Sequence, residues 1–286
     1  MELWVGITIA AAFLQNLRSM LQKHLKARLS SLGATAIRFF FAVPVAWAIW
    51  LGVGPTPALP ASFFTFTLLA AIGQIIGTLL LIYLFGLKNF AVGSTLARTE
   101  AVQTAMIGFV LLGDVISPWA VAGLLISLVG VILIAGKPAQ LEARSVAIGL
   151  ASGTCFAIAS VLYRAATQEL ETGGPVSHGA AVLLVATSFQ TALLVAWLLL
   201  KDRPQLRAVL KNWRLGALVG LTGGLASLGW FTAFSLQNAA YVKAVAQVEI
   251  LFTLLSSWLF FKEVIRRAEL LGIGFIASGI LLLLLS

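Results

Sequence analysis

Two glutamates, Glu100 and Glu249, lie inside long apolar stretches of the chain, 149 residues apart. A charged side chain at the centre of a membrane-spanning helix costs about 2.5–3.5 kcal/mol, so it usually faces a protein interior or a wet cavity. A carboxyl group there can bind a cationic group or exchange a proton, because burial disfavours its charged form. The alternative for each glutamate is a structural ion pair or a neutral, hydrogen-bonded acid.

Further polar and aromatic residues lie at comparable depth. Arg98 cannot pair with Glu100 on one helix, because two residues rotate the side chains by about 200°. We therefore expect an ion pair of Arg98 with Glu249, or of Glu100 with Arg38, that ties distant parts of the chain together. Gln103 follows Glu100 by three residues and shares its helix face. The remaining candidates for a polar cavity are Gln74, Gln247, Trp230 and Tyr241.

Each of these residues also has a simpler interpretation. A lone intramembrane glutamine can serve only as an interhelical hydrogen-bond donor. Trp230 and Tyr241 fit an interfacial aromatic belt equally well. Arg18 and Lys243 lie nearer the ends of their apolar stretches, and for both we expect the long side chain to reach the membrane interface. Arg38 also lies nearer the basic side, and its side chain can reach the interface in the same way.

The composition indicates which class of protein carries these residues. Of the 286 residues, 60% are hydrophobic and only 10% are charged, with a mean hydropathy of +1.02. A soluble domain has about a quarter of its residues charged, so this composition predicts a polytopic membrane protein. A helix needs about 20 apolar residues to span the bilayer. The ten candidate spans are residues 3–22, 33–52, 62–85, 91–112, 117–136, 146–166, 177–200, 215–235, 239–260 and 268–285.

The second half of the chain repeats the first at an offset of 149 residues. From Phe85 to Leu133, 12 of 49 positions are identical to their shifted partners. The matched pairs include Glu100 with Glu249, Gly123 with Gly272 and Gly130 with Gly279. Five spans in each half, an odd number, place the second half upside down. We predict an all-α integral membrane protein of ten transmembrane helices in two inverted five-helix repeats, a plan that places a ligand site near the midplane.

The boundary between the halves is short. Residues 138–142 contain proline and one acidic residue, which is typical of a linker. We assign residues 1–137 to the first repeat and residues 143–286 to the second. The linker is too short for independent domains, so the repeats must pack together.

The basic residues predict the orientation. The odd-numbered connections carry 14 lysines and arginines, whereas the even connections and both termini carry only Arg164. By the positive-inside rule the 14-residue side is cytoplasmic, so both termini lie on the non-cytoplasmic side. The net charge of +9 is spread over short connections rather than one folded face, which argues against a nucleic-acid partner.

The sequence offers no reactive set for an enzyme. Two histidines and one cysteine, Cys155, form no metal-ligand spacing, and no nucleophile elbow or phosphate-binding loop is present. We therefore expect neither a metal nor a cofactor, and no intramolecular disulfide is available.

Several motifs resemble the end of an EamA domain of the drug/metabolite transporter superfamily. They comprise residues 99–102, residues 111–118, Gly123 and Gly130 in the first half, and residues 248–249, residues 261–265, Gly272 and Gly279 in the second. Two such domains would cover essentially the whole chain. Two features depart from the family. The glutamate is often followed by proline there but is followed here by Ala101 and Ile250, so we expect helices four and nine to be straighter than is usual in the family. Many relatives also keep both termini in the cytoplasm.

The resemblance implies a carrier rather than an enzyme. It suggests export or exchange of small organic metabolites such as amino acids, across the plasma membrane of a bacterium, its inner membrane. One of the two glutamates would exchange a proton for substrate. A flippase for a lipid-linked headgroup and a non-transporting membrane scaffold are the alternatives. One chain supplies both repeats, which favours a functional monomer and leaves a dimer open.

Overall fold

The computed structural model describes residues 2–25, 28–54, 57–84, 99–135, 143–252, 254–255 and 267–285. Within these ranges the secondary structure is helical, with short turns between helices. The α-helices are α1 (Leu3–Leu25), α2 (Ser31–Phe40), α3 (Ala42–Gly52), α4 (Ala61–Leu84), α5 (Glu100–Leu112), α6 (Pro118–Ala135), α7 (Ala143–Gln168), α8 (Pro175–Lys201), α9 (Arg203–Lys211), α10 (Trp213–Leu236), α11 (Ala239–Val245) and α12 (Arg267–Leu284).

Five helical segments among the described residues are long and apolar enough to cross a membrane. They are Ser31–Gly52, which combines α2 and α3, and the helices α4, α7, α8 and α10. Three shorter apolar segments, Glu100–Leu112, Pro118–Ile134 and Leu270–Leu284, accompany them. These helices begin and end close to the predicted boundaries, because the length of an apolar stretch is a strong sequence signal.

Three local features differ from the expectation. The polar helix α9 lies in the seventh connection, where the sequence predicts only a cytoplasmic loop. A 3₁₀ turn at Ala246–Val248 directly precedes Glu249, so the ninth span is not a continuous α-helix even without a proline. Part of the fourth span, part of the ninth and the whole linker lie outside the described residues.

The second span breaks at Phe41, between α2 and α3. Pro44 follows three residues later, has no N–H, and crowds the carbonyl four residues before it, which explains the break. The turn at Phe41 packs closely onto α10. A Cβ on Gly220 would lie 2.3 Å from the Phe41 carbonyl oxygen, and a Cβ on Gly216 would lie 2.5 Å from the Phe41 ring. These two glycines leave the space that the broken helix needs.

The distribution of polarity suits a lipid environment. Large apolar side chains such as Leu51, Val110 and Leu200 are more than three-quarters exposed. The buried polar residues include Thr8, Asn16, Arg18, Arg38, Thr78, Gln190 and Glu249. Lipid tails solvate the outside, so hydrogen bonds and close packing hold the helices together.

Helices α6 and α12 cross at their glycines. A Cβ on Gly123 would lie 2.5 Å from the Gly279 carbonyl oxygen, and one on Gly130 would lie 2.5 Å from the Gly272 carbonyl oxygen. Residue numbers rise along one helix as they fall along the other, so the helices run antiparallel. Ser127 Oγ also donates to the Ile276 carbonyl at 3.4 Å, between residues 149 positions apart. Equivalent segments of the two halves therefore pack together in opposite directions.

Other helix pairs also join the two halves. Helix α4 packs along α7, and α1 packs along α10. The first pair meets at Gly73 and Gly77 of α4, where the neighbours are Cys155 and Phe156 of α7, and Ser152 Oγ donates to the Gly77 carbonyl at 2.9 Å. The halves thus interdigitate, and the helices that carry the candidate residues face one another.

Candidate functional site

Glu100 forms an ion pair with Lys243. Lys243 Nζ lies 2.6 Å from Glu100 Oε1, and the two side chains are 14% and 21% exposed, respectively. Ser160 of α7 donates weakly to the same carboxylate oxygen, at 3.5 Å. Glu100 opens α5 in the first half and Lys243 lies on α11 in the second. The pair therefore holds together the fourth and ninth spans.

Lys243 also lies over two aromatic rings of α10. Its Nζ is 5.0 Å from the centroid of the Trp230 ring and 5.8 Å from that of the Phe234 ring. The two rings are four residues apart and share one face of the helix. A cation at this position is stabilised by the negative faces of the rings as well as by Glu100.

Trp230 and Gln15 connect this ion pair to the second glutamate. Trp230 Nε1 donates to Gln15 Oε1 at 3.0 Å, and Gln15 Nε2 donates to Glu249 Oε2 at 2.9 Å. Because an indole N–H can only donate, it fixes the orientation of the Gln15 amide. Gln15 must therefore present its NH₂ group to Glu249, and Glu249 Oε2 must accept.

These contacts form one continuous chain, which we call the polar path: Glu100, Lys243, Trp230, Gln15 and Glu249. Gln15 lies 12 residues from the start of α1 and 10 from its end, which places it about 15–18 Å from either terminus of that helix. The polar path thus crosses the middle of the bundle. It takes residues from both halves and links their equivalent glutamates.

A second buried network lies beside the polar path. Tyr163 of α7 donates its hydroxyl to Gln74 Oε1 at 2.9 Å, and Gln190 of α8 donates to the same oxygen at 2.8 Å. The Tyr163 ring lies 4.4 Å from the Phe231 ring, centroid to centroid. Gln74 is thus placed in a three-helix hydrogen-bond network rather than on the polar path.

Arg18 and Arg38 are both buried, each with 5% of its surface exposed. Arg38 Nη1 donates to Thr78 Oγ1 at 3.0 Å, and its guanidinium lies 4.9 Å from the centroid of the Phe39 ring. The expectation that Arg18 reaches the interface is wrong, since neighbouring helices cover it. Lys243 likewise turns inward to Glu100. It takes the place predicted for Arg38 in an ion pair with Glu100, and Arg98 lies outside the described residues.

The other predicted residues lie around the polar path. Gln103 Nε2 donates to Thr99 Oγ1 at 2.9 Å, while its Oε1 is buried without a partner among the described residues. Gln247 Oε1 is likewise buried without a hydrogen-bond partner among the described residues. The Tyr241 hydroxyl accepts the backbone N–H of Ser117 at 3.3 Å, which ties α11 to the turn before α6.

Arg164 joins three elements near the predicted outer face by hydrogen bonds and an ion pair. Its Nε lies 3.1 Å from Asp114 Oδ2, and its Nη1 donates to the Phe234 carbonyl at 3.1 Å. We call Arg164, Asp114 and the Phe234 carbonyl the outer latch. It joins α7 and α10 to the turn after α5, and Phe234 is also a ring beside Lys243.

An apolar groove of about 330 Å³ lies between α5 and α6, away from the polar path. Its lining is entirely apolar or aromatic and includes Met106, Phe109, Val121 and Leu125. Met106 and Phe109 are largely exposed on the helix surface. The groove is therefore a feature of the flank of the molecule, and it offers nothing that could bind a charged group.

The sequence did not indicate the contacts that Lys243, Gln15, Ser160 and Tyr163 make in the structure. Gln15 and Lys243 were visible as polar residues in apolar spans, but their partners are more than 100 residues away. For Gln15 the available signal was its depth near the middle of its span, whereas Lys243 lies nearer the end of its span and carried no such signal. Ser160 and Tyr163 carry no such signal, since both are common in packed helices.

Comparison with known proteins identifies the family. Residues 2–136 and 143–285 each match the EamA-like transporter family. No curated protein matches the chain. Several chains of solved structures match this chain. One of them, from a crystal structure, superposes with a TM-score of 0.73 at 17% sequence identity, and the alignment covers 98% of this chain and 95% of that chain. That identity supports the fold alone. With both halves matched, the chain belongs to the EamA-like transporter family, whose members are integral membrane transporters of the drug/metabolite superfamily.

Proposed function

We propose that this protein is a secondary transporter that moves small organic metabolites, amino-acid-like or related compounds, by alternating access. Export or exchange across a bacterial inner membrane is the direction we favour. The observation that supports it best is the polar path, which connects the equivalent glutamates of the two halves through Lys243, Trp230 and Gln15. A path between inverted repeats is where secondary transporters hold substrate.

The proposal includes ten spans in two inverted repeats. The antiparallel crossing of α6 and α12 supports the inversion, because these helices are the last of their respective halves. The 14 basic residues of the odd connections support a cytoplasmic location for that side, with both termini outside. Alternating access requires the outer ends of the helices to part, and the outer latch is a contact that must break when they do.

Lys243 acts in this scheme as an internal competitor of the substrate. Its ammonium group occupies the position between Glu100 Oε1 and the Trp230 ring. A substrate ammonium group satisfies the same two partners, so it can displace Lys243. Glu249 accepts a hydrogen bond from Gln15 in a buried position, where a change in protonation alters its contacts most. We assign proton exchange to Glu249 and binding of the cationic group to Glu100.

Thermal unfolding of the purified protein with a panel of amino acids, amines, sugars and nucleosides tests this proposal. A ligand that binds only the folded state raises the unfolding midpoint by mass action. We expect a compound class that stabilises the wild type but not Glu100→Gln or Glu249→Gln. The matched control is Glu169→Gln, a carboxylate at the outer end of α7 that accepts from Ser62 and lies off the polar path. Loss of the response in Glu169→Gln as well would contradict a specific site.

A flippase for a lipid-linked headgroup is the second candidate, and the apolar groove between α5 and α6 favours it. An acyl chain fits such a groove, and a lateral opening there would let a headgroup reach the polar path. Stabilisation by a short-chain lipid and by no soluble compound would move the assignment to this candidate. A scaffold role predicts instead that both glutamine variants behave as the wild type.

A further inference from the structure

We propose that Arg18 and Arg38 form a binding seat for the carboxylate group of the transported molecule, an inference that rests on the proposed transport function. We call this pair the arginine seat. It lies on the first and second spans, on the cytoplasmic side of the polar path, and it is separate from Glu100 and Lys243.

The two guanidinium groups are buried at similar depth. Arg18 lies seven residues before the end of α1 and Arg38 seven residues after the start of α2, each about 10 Å from the same end of the bundle. Arg18 Nε has no hydrogen-bond partner among the described residues. Neither arginine has a carboxylate within ion-pair distance in the described part of the chain. A buried cation without a paired anion is costly, and such residues usually mark a ligand pathway.

Gly223 of α10 brings the two arginines together. A Cβ at this position would lie 3.1 Å from Arg18 Cδ and 3.8 Å from Arg38 Cγ. Both side chains therefore pass the same glycine. Two like charges in one buried place repel each other, and an anion between or beside them relieves this repulsion.

The donors fit a planar carboxylate. A guanidinium presents a fork of N–H groups that can bind both oxygens of a carboxylate, which an ammonium group cannot do. The Thr78 hydroxyl, bonded to Arg38 Nη1, supplies an additional donor. Arg18 follows Gln15 by three residues on α1 and shares its face, so a small molecule on the polar path can place its carboxylate at the arginine seat.

Butyrate and its neutral isostere butyramide test the seat on the full chain in detergent. Unfolding midpoints are measured at constant ionic strength, with sodium chloride replacing sodium butyrate. We expect a saturable rise of about 3 °C with butyrate at ten times its half-saturating concentration, and none with butyramide. Arg18→Gln and Arg38→Gln lose the rise. Arg144→Gln, which removes an exposed arginine that donates to Tyr83, keeps it.

Arg38→Lys keeps the test valid if the glutamine variants do not fold. It retains the positive charge without the fork, so we expect about a tenfold higher half-saturating butyrate concentration. An equal rise in the wild type and both glutamine variants overturns the seat, as does an equal rise with butyramide or none with butyrate. A butyrate response without any response to the metabolite panel would keep the seat and remove the proposed transport substrate. The reverse pattern would remove the seat alone.

Discussion

The proposed function depends most on Lys243. It balances Glu100, lies over the rings of Trp230 and Phe234, and has no counterpart in the first half, where the shifted position is Ser94. The two halves are therefore alike in their glutamates and unlike in their cations. This asymmetry gives Glu100 and Glu249 different neighbours and, in our scheme, different tasks.

Removal of one member of the Glu100–Lys243 pair should cost more stability than removal of both. Lys243→Met leaves a carboxylate without its cation, and Glu100→Gln leaves a cation without its carboxylate, each at an expected cost of about 1–3 kcal/mol. The double variant should recover much of this loss, because neither charge is then unpaired. Unfolding midpoints of the three variants measure the coupling. Additive losses would show that the two side chains act independently.

Gln15→Leu should remove the hydrogen-bonded connection between the two glutamates. The leucine cannot accept from Trp230 or donate to Glu249, so the polar path is cut while Glu100–Lys243 remains. We expect loss of the pH dependence of ligand binding, measured as the midpoint shift between pH 5.5 and pH 8. Gln22→Leu is the control: it removes a buried amide that donates to the Ala34 carbonyl near the other end of α1. An unchanged pH dependence in Gln15→Leu would argue against a link between the sites.

The sequence predicts the glutamates but not their partners, for a physical reason. An acidic residue in an apolar stretch is visible from its neighbours along the chain. Gln15 lies 234 residues from Glu249 and 215 from Trp230, so only the packing of α1 against α10 and the ninth span brings them together.

At the scale of elements, close helix crossings at glycines join the two halves. The positions of most helices follow from apolar length, and Pro44 explains the interruption of the second span. The crossing of α6 and α12 follows from the repeated glycines only once the two helices are known to be antiparallel neighbours. The 3₁₀ turn before Glu249 has no comparable sequence signal, because tertiary packing decides such local changes of helix type.

Gly279→Ala should destabilise the fold. A Cβ there would lie 2.4 Å from the Gly123 carbonyl oxygen, so the two helices would have to separate, at a cost of about 1–3 kcal/mol. Gly274→Ala on the same helix is the control, because no heavy atom lies within 4 Å of its Cβ position. Alanine is the better helix former, and this control should be neutral or slightly stabilising. The unfolding midpoints of both variants are compared. Equal midpoints would contradict a close crossing of α6 and α12 at Gly279.

The whole molecule is defined by the contacts between its halves. The pairs α6 with α12, α4 with α7 and α1 with α10 each take one helix from either half. All five residues of the polar path come from one chain. The repeat and the short linker predict that the halves pack together, but they do not predict which helices form the pairs. The side of the membrane on which each end lies rests on charge alone.

Orientation is tested by fusion of a topology reporter after Ser286. The 14 basic residues on the opposite side predict a non-cytoplasmic C-terminus. We expect activity from a reporter that works only outside the cytoplasm and none from one that works only inside. A cytoplasmic signal would reverse the orientation and, with it, the side on which the arginine seat lies.

Proton flux in vesicles tests whether Glu249 exchanges a proton for a substrate that is bound at Glu100. The full chain is reconstituted with a pH-sensitive dye inside, and each amino acid or amine that stabilises the wild type is added outside. We expect a substrate-dependent pH change with the wild type and none with Glu249→Gln or Glu100→Gln. A compound that crosses at the same rate in all three proteins, without a pH change, would contradict proton-coupled exchange.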